Sequence, residues 1–246
     1  MSSIAVLVAG DPIPQVLDLV PNFGALIREI AGAIDVEWVE VDLRPLGRMP
    51  DPREFAACIV TGSPHSVTEQ TPWIRQAQAY LRRVRESSVG LFGICFGHQL
   101  MSSAFGGRVS VNPRGREMGF CSARPSSTTN GCLPWPSDSF EVLMSHRDTV
   151  SALPPGASVL AETDRDAHAA VHHGELCYST QFHPEFTPAV LKLYIEHYRQ
   201  QMLEQGDNVD QLISRIRETP MARALLRRFI HVALDRDHRR IRRCAS

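Results

Sequence analysis

The sequence lacks the paired cysteines that mark a disulfide-stapled domain or a zinc site. Both kinds of protein carry cysteines at short, fixed spacings such as C-x-x-C. The six cysteines of this chain include no such pair and are scattered along it, at Cys58, Cys95, Cys121, Cys132, Cys177 and Cys244. This distribution predicts reduced thiols in a cytoplasmic protein that holds no metal.

Long apolar runs and strong net charge are absent as well. No stretch approaches the roughly 18 apolar residues that a membrane-spanning helix needs, and the apolar run at residues 4–9 is too short for a signal core and lacks a basic flank. The formal net charge is −1, so no overall field favours nucleic acid or an anionic membrane. Five arginines at residues 236–243 are interpreted as a solvated terminus, with a nucleic-acid patch as the alternative. We therefore expect a cytoplasmic protein that does not bind membranes, and nucleic acid is not an expected partner.

The N-terminal part of the chain alternates strand and helix patterns. Apolar runs predict strands at residues 4–9, 36–41, 56–61 and 89–94. Asn22 is a candidate cap of a helix whose apolar side chains recur at helical spacing over residues 23–31. Thr71 and the proline after it start a helix that runs to about Glu86, and the proline-rich residues 45–52 predict a loop. This alternation is typical of a doubly wound sheet whose site lies beyond the carboxyl ends of its strands.

The pattern of predicted secondary structure changes after Gly107, where short strands follow one another with few helices between them. These strands are predicted at residues 108–111, 118–123, 140–144, 158–162, 167–172 and 176–180. They predict an antiparallel region packed beside the main sheet. A further helix is expected at residues 189–204, and Gly206 stops it.

Two more helices are predicted after Gly206. Apolar side chains form one helical stripe at residues 209–216 and another at residues 225–233, in a helix that starts at Thr219 and Pro220. These faces must be buried on the same chain or on a partner. We expect one domain at residues 1–205 and a C-terminal helical extension at residues 206–246.

The stretch around Cys95 carries the strongest chemical signal. An apolar strand runs into a sharp turn at Cys95, and a helix begins near Gly97. With Gly93, this gives G-x-C-x-G, the nucleophile-elbow pattern with cysteine in place of serine. The glycines allow a tight turn, and the nearby helix N-terminus favours a thiolate. The alternative is a structural corner with a buried cysteine.

A second motif, Q-F-H-P-E at residues 181–185, offers a base and an acid. A cysteine nucleophile needs a base, and the base needs a group that orients it. If Glu185 holds one ring nitrogen of His183, the other nitrogen can face Cys95. On its own an H-P-E tripeptide is more typical of a surface turn.

Together, G-x-C-x-G-H-Q and Q-F-H-P-E resemble the class I (triad) glutamine amidotransferases, most closely the glutaminase domain of GMP synthetase. Three further motifs match in order. Residues 61–67 are similar to that family's S-G-G-P-x-S-V oxyanion loop, residues 117–120 to its E-x-G-aromatic strand, and residues 144–148 to its M-S-H-x-D loop. The resemblance covers about residues 4–195 and leaves out the C-terminal fifty. The predicted fold class is α/β: a doubly wound, flavodoxin-like mixed sheet with an added antiparallel strand region and a C-terminal helical extension.

The resemblance implies a catalytic triad of Cys95, His183 and Glu185. Elbow geometry assigns the Phe96 N–H to an oxyanion hole, and the resemblance adds Gly62 and Ser63. The family has glycine where Ser63 stands, a departure that matters if this position requires a positive φ. Contacts to the substrate are implied for Gln99 and for the main chain of Met118, Gly119, Ser145 and His146.

These residues leave three hypotheses for function. The first is a glutaminase that hydrolyses the glutamine side-chain amide to glutamate and ammonia through a γ-glutamyl thioester. The second is a γ-glutamyl hydrolase that uses the same triad on a larger γ-glutamyl amide. The third, a non-catalytic protein on this scaffold, conflicts with the intact Cys95, His183 and Glu185. The sequence has no GxxxxGK[ST] motif, so we expect a separate synthase to use the ammonia, and no cofactor is expected.

Overall fold

The computed structural model describes residues 2–126 and 133–244, and its framework is a large mixed sheet. The strands are β1 (Ser3–Val8), β2 (Glu37–Asp42), β3 (Ala57–Val60), β4 (Gly90–Ile94), β5 (Arg108–Val111), β6 (Glu117–Pro125), β7 (Phe140–His146), β8 (Asp148–Ala152), β9 (Ser158–Glu162), β10 (Ala170–His172) and β11 (Cys177–Thr180). The helices are α1 (Pro14–Leu17), α2 (Phe23–Ala31), α3 (Pro72–Glu86), α4 (Phe96–Ala104), α5 (Pro188–His197), α6 (Arg199–Glu204), α7 (Val209–Arg215) and α8 (Pro220–Cys244).

Nine strands form one sheet in the order β2-β1-β3-β4-β11-β10-β9-β6-β7. The first five are parallel to one another, and the last four pair antiparallel. This arrangement confirms the predicted α/β class with a mixed sheet. The antiparallel strands were expected to pack beside the main sheet, but most of them extend it. Strand β11 pairs with β4, and β10, β9, β6 and β7 follow β11 in the same sheet. The separate element is the ribbon of β5 and β8, and β8 was not predicted.

The central parallel strands are buried on both faces, which explains their continuous apolar sequences. Alternate side chains of β1 point to opposite layers. Ile4 and Val6 join the core under α2 and α8, whereas Ala5 and Leu7 join the core under α3 and α4. The sheet therefore lies between two helical layers.

Most of the helices in the structure start where the sequence predicts. Asn22 caps α2 by accepting a hydrogen bond from the N–H of Ala25. Helix α3 begins at Pro72 as expected, although Thr71 makes no capping bond with its side chain. The single helix expected at residues 189–204 is kinked at Tyr198, where ψ is 8°. The N–H of Tyr198 donates to the carbonyl of Tyr194 in α5, and its carbonyl accepts from the N–H of Met202 in α6, so α5 and α6 follow each other without a loop at this kink.

The C-terminal helix packs on the same chain. Leu225, Leu226 and Phe229 are at most 4 % exposed, and the ring of Phe229 lies 5.2 Å from that of Phe92 on β4. A side chain at Gly90 would meet Phe229 at 3.3 Å, so the glycine lets α8 approach the sheet. The division of the chain after residue 205 stays a prediction. None of the helices in the described residues has the length and apolar character needed to cross a membrane.

Candidate active site

Cys95 lies at the tip of a strained turn between β4 and α4. Its backbone has φ 51° and ψ −100°, a positive φ that side chains other than glycine rarely adopt. The turn is held by a hydrogen bond from the Cys95 N–H to the carbonyl of Thr180 on β11, at 2.8 Å. The G-x-C-x-G pattern thus forms the predicted strand–turn–helix elbow, with its strain at the nucleophile position.

The two glycines of the elbow are required by close packing. A Cβ at Gly93 would lie 2.5 Å from the sulfur of Met101 and 2.6 Å from the main chain of Gly97. A Cβ at Gly97 would lie 2.6 Å from the carbonyl oxygen of Val60 on β3. Only glycine lets α4 start this close to the sheet.

His183 and Glu185 form a buried pair on the loop after β11. The Nδ1 of His183 lies 2.8 Å from Oε1 of Glu185, and the two residues are 3 % and 1 % exposed. The imidazole also stacks on Phe186, with ring centroids 3.9 Å apart. Both contacts fix the ring, and the bond to Glu185 uses Nδ1 rather than Nε2.

Cys95 and His183 line the same cavity, and a Cβ built at Gly62 would lie 3.3 Å from Cε1 of His183 and 4.0 Å from Cβ of Cys95. Burial opposes protonation of His183, but the nearby Glu185 and Cys95 outweigh it and raise the pKa of His183 to about 10. An imidazolium beside the sulfur is the charge partner that a thiolate needs. The sulfur also lies 3.7 Å from the carbonyl oxygen of Ser145.

A cavity of about 400 Å³ opens beside Cys95. Seven residues predicted for the site line it, namely Ser63, Cys95, Phe96, Gln99, Ser145, His146 and His183. Gly62 lies next to the cavity, since a Cβ there would be 3.3 Å from Cε1 of His183. Glu185 stands behind His183.

Met118 and Gly119 are not brought to this cavity. Met118 packs in a hydrophobic cluster with Leu143 and Phe186, and a Cβ at Gly119 would face Leu212 of α7 at 3.3 Å. A contact of these two residues with substrate stays a prediction.

Gln99 lines the cavity while its amide is held by other groups. Its Nε2 donates to the carbonyl of Asp148 at 2.8 Å and to Oε1 of Gln181 at 3.0 Å. These bonds tie α4 to the first residue of β8 and to the segment that follows β11. The neighbouring His98 is fully buried against Ser179.

Ser63 fits its position without strain. It is not among the described residues with positive φ. Its hydroxyl donates to the carbonyl of Ala9 at 2.9 Å and accepts from the N–H of His65. A Cβ at Gly10 would come within 2.7 Å of the Ser63 hydroxyl, so the glycine makes room for the serine that replaces the family's glycine.

A second histidine–carboxylate pair lies behind the cavity. His146 Nε2 is 3.0 Å from Oε2 of Glu117, and its Nδ1 is 2.8 Å from the carbonyl of Asp148. The two residues are cross-strand partners in the β6–β7 register. His146 also lines the cavity, and both of its ring nitrogens have partners inside the protein. The sequence motifs contain both residues, but only the strand register brings them together.

The fold and the elbow define an α/β protein with a cysteine at a strand–turn–helix elbow, and comparison with known families identifies the family. A family model described as glutamine amidotransferase class-I matches residues 22–197. The chain belongs to the class-I glutamine amidotransferase family.

The relatives found are of two kinds. A glutamine-hydrolyzing GMP synthase of Paraburkholderia phytofirmans is 33% identical over 184 residues, which is 68% of this chain and 34% of that protein. A glutamine amidotransferase-like protein of Schizosaccharomyces pombe is 24% identical over 230 residues, covering 83% of this chain and 92% of that protein. This chain thus spans about a third of the length of the GMP synthase relatives it matches.

Solved structures share the fold. A glutamine amidotransferase from Thermotoga maritima superposes with a TM-score of 0.71 at 18% identity, covering 95% of this chain and 98% of that one. At this level of identity the match supports the architecture, including the tail, rather than any particular substrate.

Proposed function

We propose that this protein is a glutaminase that hydrolyses the side-chain amide of glutamine to glutamate and ammonia. One observation carries the proposal: Cys95 lies on a strained elbow and lines one cavity with a His183 that Glu185 holds at 2.8 Å. Membership of the class-I glutamine amidotransferase family supports the choice of glutamine as the substrate.

The chemistry follows from these three side chains. The Cys95 sulfur attacks the carboxamide carbon, and the imidazolium of His183 gives its proton to the leaving nitrogen, which departs as ammonia. The product is a γ-glutamyl thioester on Cys95. His183, now neutral, takes a proton from water, and the hydroxide formed attacks the thioester carbon to release glutamate and the thiolate. Glu185 stabilises the imidazolium in each half.

The negative oxygen of each tetrahedral intermediate needs fixed donors. Phe96 is the first residue of α4, and the N–H groups of a first helical turn have no partner inside the helix. We assign its N–H to the oxyanion together with a main-chain N–H of Gly62 or Ser63. Losing one such donor typically costs about 100- to 1000-fold in rate. Gln99 and the main chain of Ser145 and His146 are assigned to contacts with the glutamine substrate.

The ammonia is assigned to an unidentified acceptor or synthase outside these 246 residues. The relatives named GMP synthase are about three times as long as the part that this chain matches, and the present sequence has no GxxxxGK[ST] motif with which to activate an acceptor. The acceptor itself is left open.

The test of the proposed function is steady-state kinetics on glutamine and on a γ-glutamyl dipeptide. We expect the isolated protein to release ammonia from glutamine, slowly without a partner, and to cleave the dipeptide poorly. Dipeptide cleavage with kcat/KM of about 10⁴ M⁻¹s⁻¹ or more, in the ordinary range of enzymes, would establish the γ-glutamyl hydrolase instead. Ammonia is followed by a coupled assay and glutamate by chromatography.

Glu185→Gln tests the acid of the triad. The substitution keeps the shape of the side chain but removes the charge that stabilises the His183 imidazolium, so glutamine turnover should fall by about 10²- to 10³-fold. The loss should be smaller than for His183→Ala, since triad members contribute unequally. Glu175→Gln, on an exposed hairpin, is the matched control and should keep full activity. Parental activity in Glu185→Gln would leave Glu185 as no more than a turn residue.

A further inference from the structure

The charged side chains around the Cys95 cavity differ in whether a side chain able to carry the opposite charge lies close to them. Of the acidic and arginine side chains that line it, all but one lie within 4.0 Å of a side chain that carries the opposite charge or would carry it when protonated, among the described residues. The paired groups are Asp11 with Arg44 at 2.5 Å, Glu69 with His65 at 3.6 Å, and Asp148 with Arg147 at 3.7 Å. The exception is Arg116, which has no carboxylate within 4.0 Å in the part of the chain that is described.

Arg116 is held in place by uncharged groups. Its guanidinium carbon lies 4.4 Å from the ring centroid of Tyr198, and its Nη2 donates to Oε1 of Gln201 at 3.3 Å. Tyr198 and Gln201 lie at and after the kink between α5 and α6 and also line the cavity. A cation over an aromatic face is stabilised without being neutralised.

One donor of Arg116 has no use inside the protein. Nε is buried and has no hydrogen-bond partner among the described atoms. Burial lowers the pKa of Arg116, yet a guanidinium keeps its charge at neutral pH. A half-buried cation with an unsatisfied donor is costly unless an anion completes it.

The substrate of the proposed reaction supplies such an anion. Glutamine reacts at its side-chain carboxamide, so its α-carboxylate must be bound elsewhere in the same cavity. We propose that Arg116, which lines the cavity, binds this α-carboxylate through its guanidinium. The inference rests on the proposed function and makes Arg116 a determinant of specificity for α-amino acid amides.

Arg116→Gln is the direct test. It removes the charge and the fork but keeps a polar side chain beside Tyr198. We expect kcat/KM for glutamine to fall by about 10- to 100-fold, mainly through KM, which is the range for a lost charge-assisted hydrogen bond. The matched control is Arg114→Gln, an exposed arginine that bonds to the Asp164 carbonyl and does not line the cavity, and it should match the wild type.

A second substrate separates recognition from structure. 4-Aminobutanamide is glutamine without its carboxylate, so the wild type should use it about 10- to 100-fold less well, and Arg116→Gln should use it as well as the wild type does. Equal losses of Arg116→Gln on both substrates, or unchanged activity on glutamine, would overturn this role while the proposed function stands. A wild-type protein that releases no ammonia from glutamine would instead overturn the proposed function, and this inference with it.

Discussion

Replacing Cys95 with alanine is expected to abolish glutamine hydrolysis, with a loss of at least about 10⁴-fold. The sulfur is the atom that forms the thioester, and alanine leaves His183 without a nucleophile to activate. The backbone at the elbow already holds a positive φ that a Cβ tolerates, so the substitution adds no new strain there. The measurement is ammonia release from glutamine, with thermal unfolding recorded on the same samples and expected to change little.

Cys121→Ala is the matched control for the nucleophile. Cys121 lies on β6, and burial raises the pKa of its thiol to about 12, so it is a poor nucleophile at neutral pH. This variant should keep glutaminase activity, and a diazoketone analogue of glutamine should label Cys95 in it as in the wild type. Glutamine hydrolysis by Cys95→Ala would show that Cys95 is not the nucleophile and would overturn the assignment of the triad.

Much of this site could be predicted from short patterns, because its parts are local. The glycines of G-x-C-x-G follow from contacts within one strand–turn–helix unit, at 2.5 and 2.6 Å from Gly93 and Gly97. His183 and Glu185 are two residues apart, and their pairing needs only one turn. Motifs of this kind can be recognised in the sequence because neighbouring residues determine their geometry.

What could not be predicted depends on contacts between distant segments. The parallel pairing of β11 with β4 brings His183 to Cys95, and no local pattern shows that a strand after a run of antiparallel ones would pair in parallel. The same pairing explains why the antiparallel strands extend the sheet. The sequence did not single out Arg116 as a site residue for a related reason. Its partners Tyr198 and Gln201 lie at and after the kink between α5 and α6, and no proline or glycine in the sequence marks that kink.

Ser63 illustrates a departure from the family pattern that is absorbed elsewhere. A serine in place of glycine matters only if the backbone needs a positive φ, and here it does not. The hydroxyl bonds to Ala9, in the loop after β1, where Gly10 leaves space for it. The two positions therefore have to be interpreted together.

Deleting residues 207–246 is expected to unfold the protein rather than to remove a docking face. Helix α8 covers one face of the sheet with several fully buried apolar side chains, including Leu226, Phe229 and Ile230. Each such side chain stabilises the fold by about 1.5–3 kcal/mol, and several of them together approach the roughly 5–15 kcal/mol of a typical domain. The deletion would also expose Phe92 and Ile94 beneath Cys95. Far-UV circular dichroism and thermal unfolding should show loss of cooperative structure.

Point substitutions in the intact chain locate the effect on α8. Phe229→Ala should lower the free energy of unfolding by about 3–5 kcal/mol, because it opens a cavity against the ring of Phe92. Its neighbour Arg228 is exposed, and Arg228→Ala should change the stability by less than about 0.5 kcal/mol. A helix that completes the core cannot be removed without destabilising the sheet that carries Cys95. A protein without residues 207–246 that still unfolds cooperatively at the wild-type temperature, and loses only its stimulation by a partner, would therefore show that these residues are a docking element.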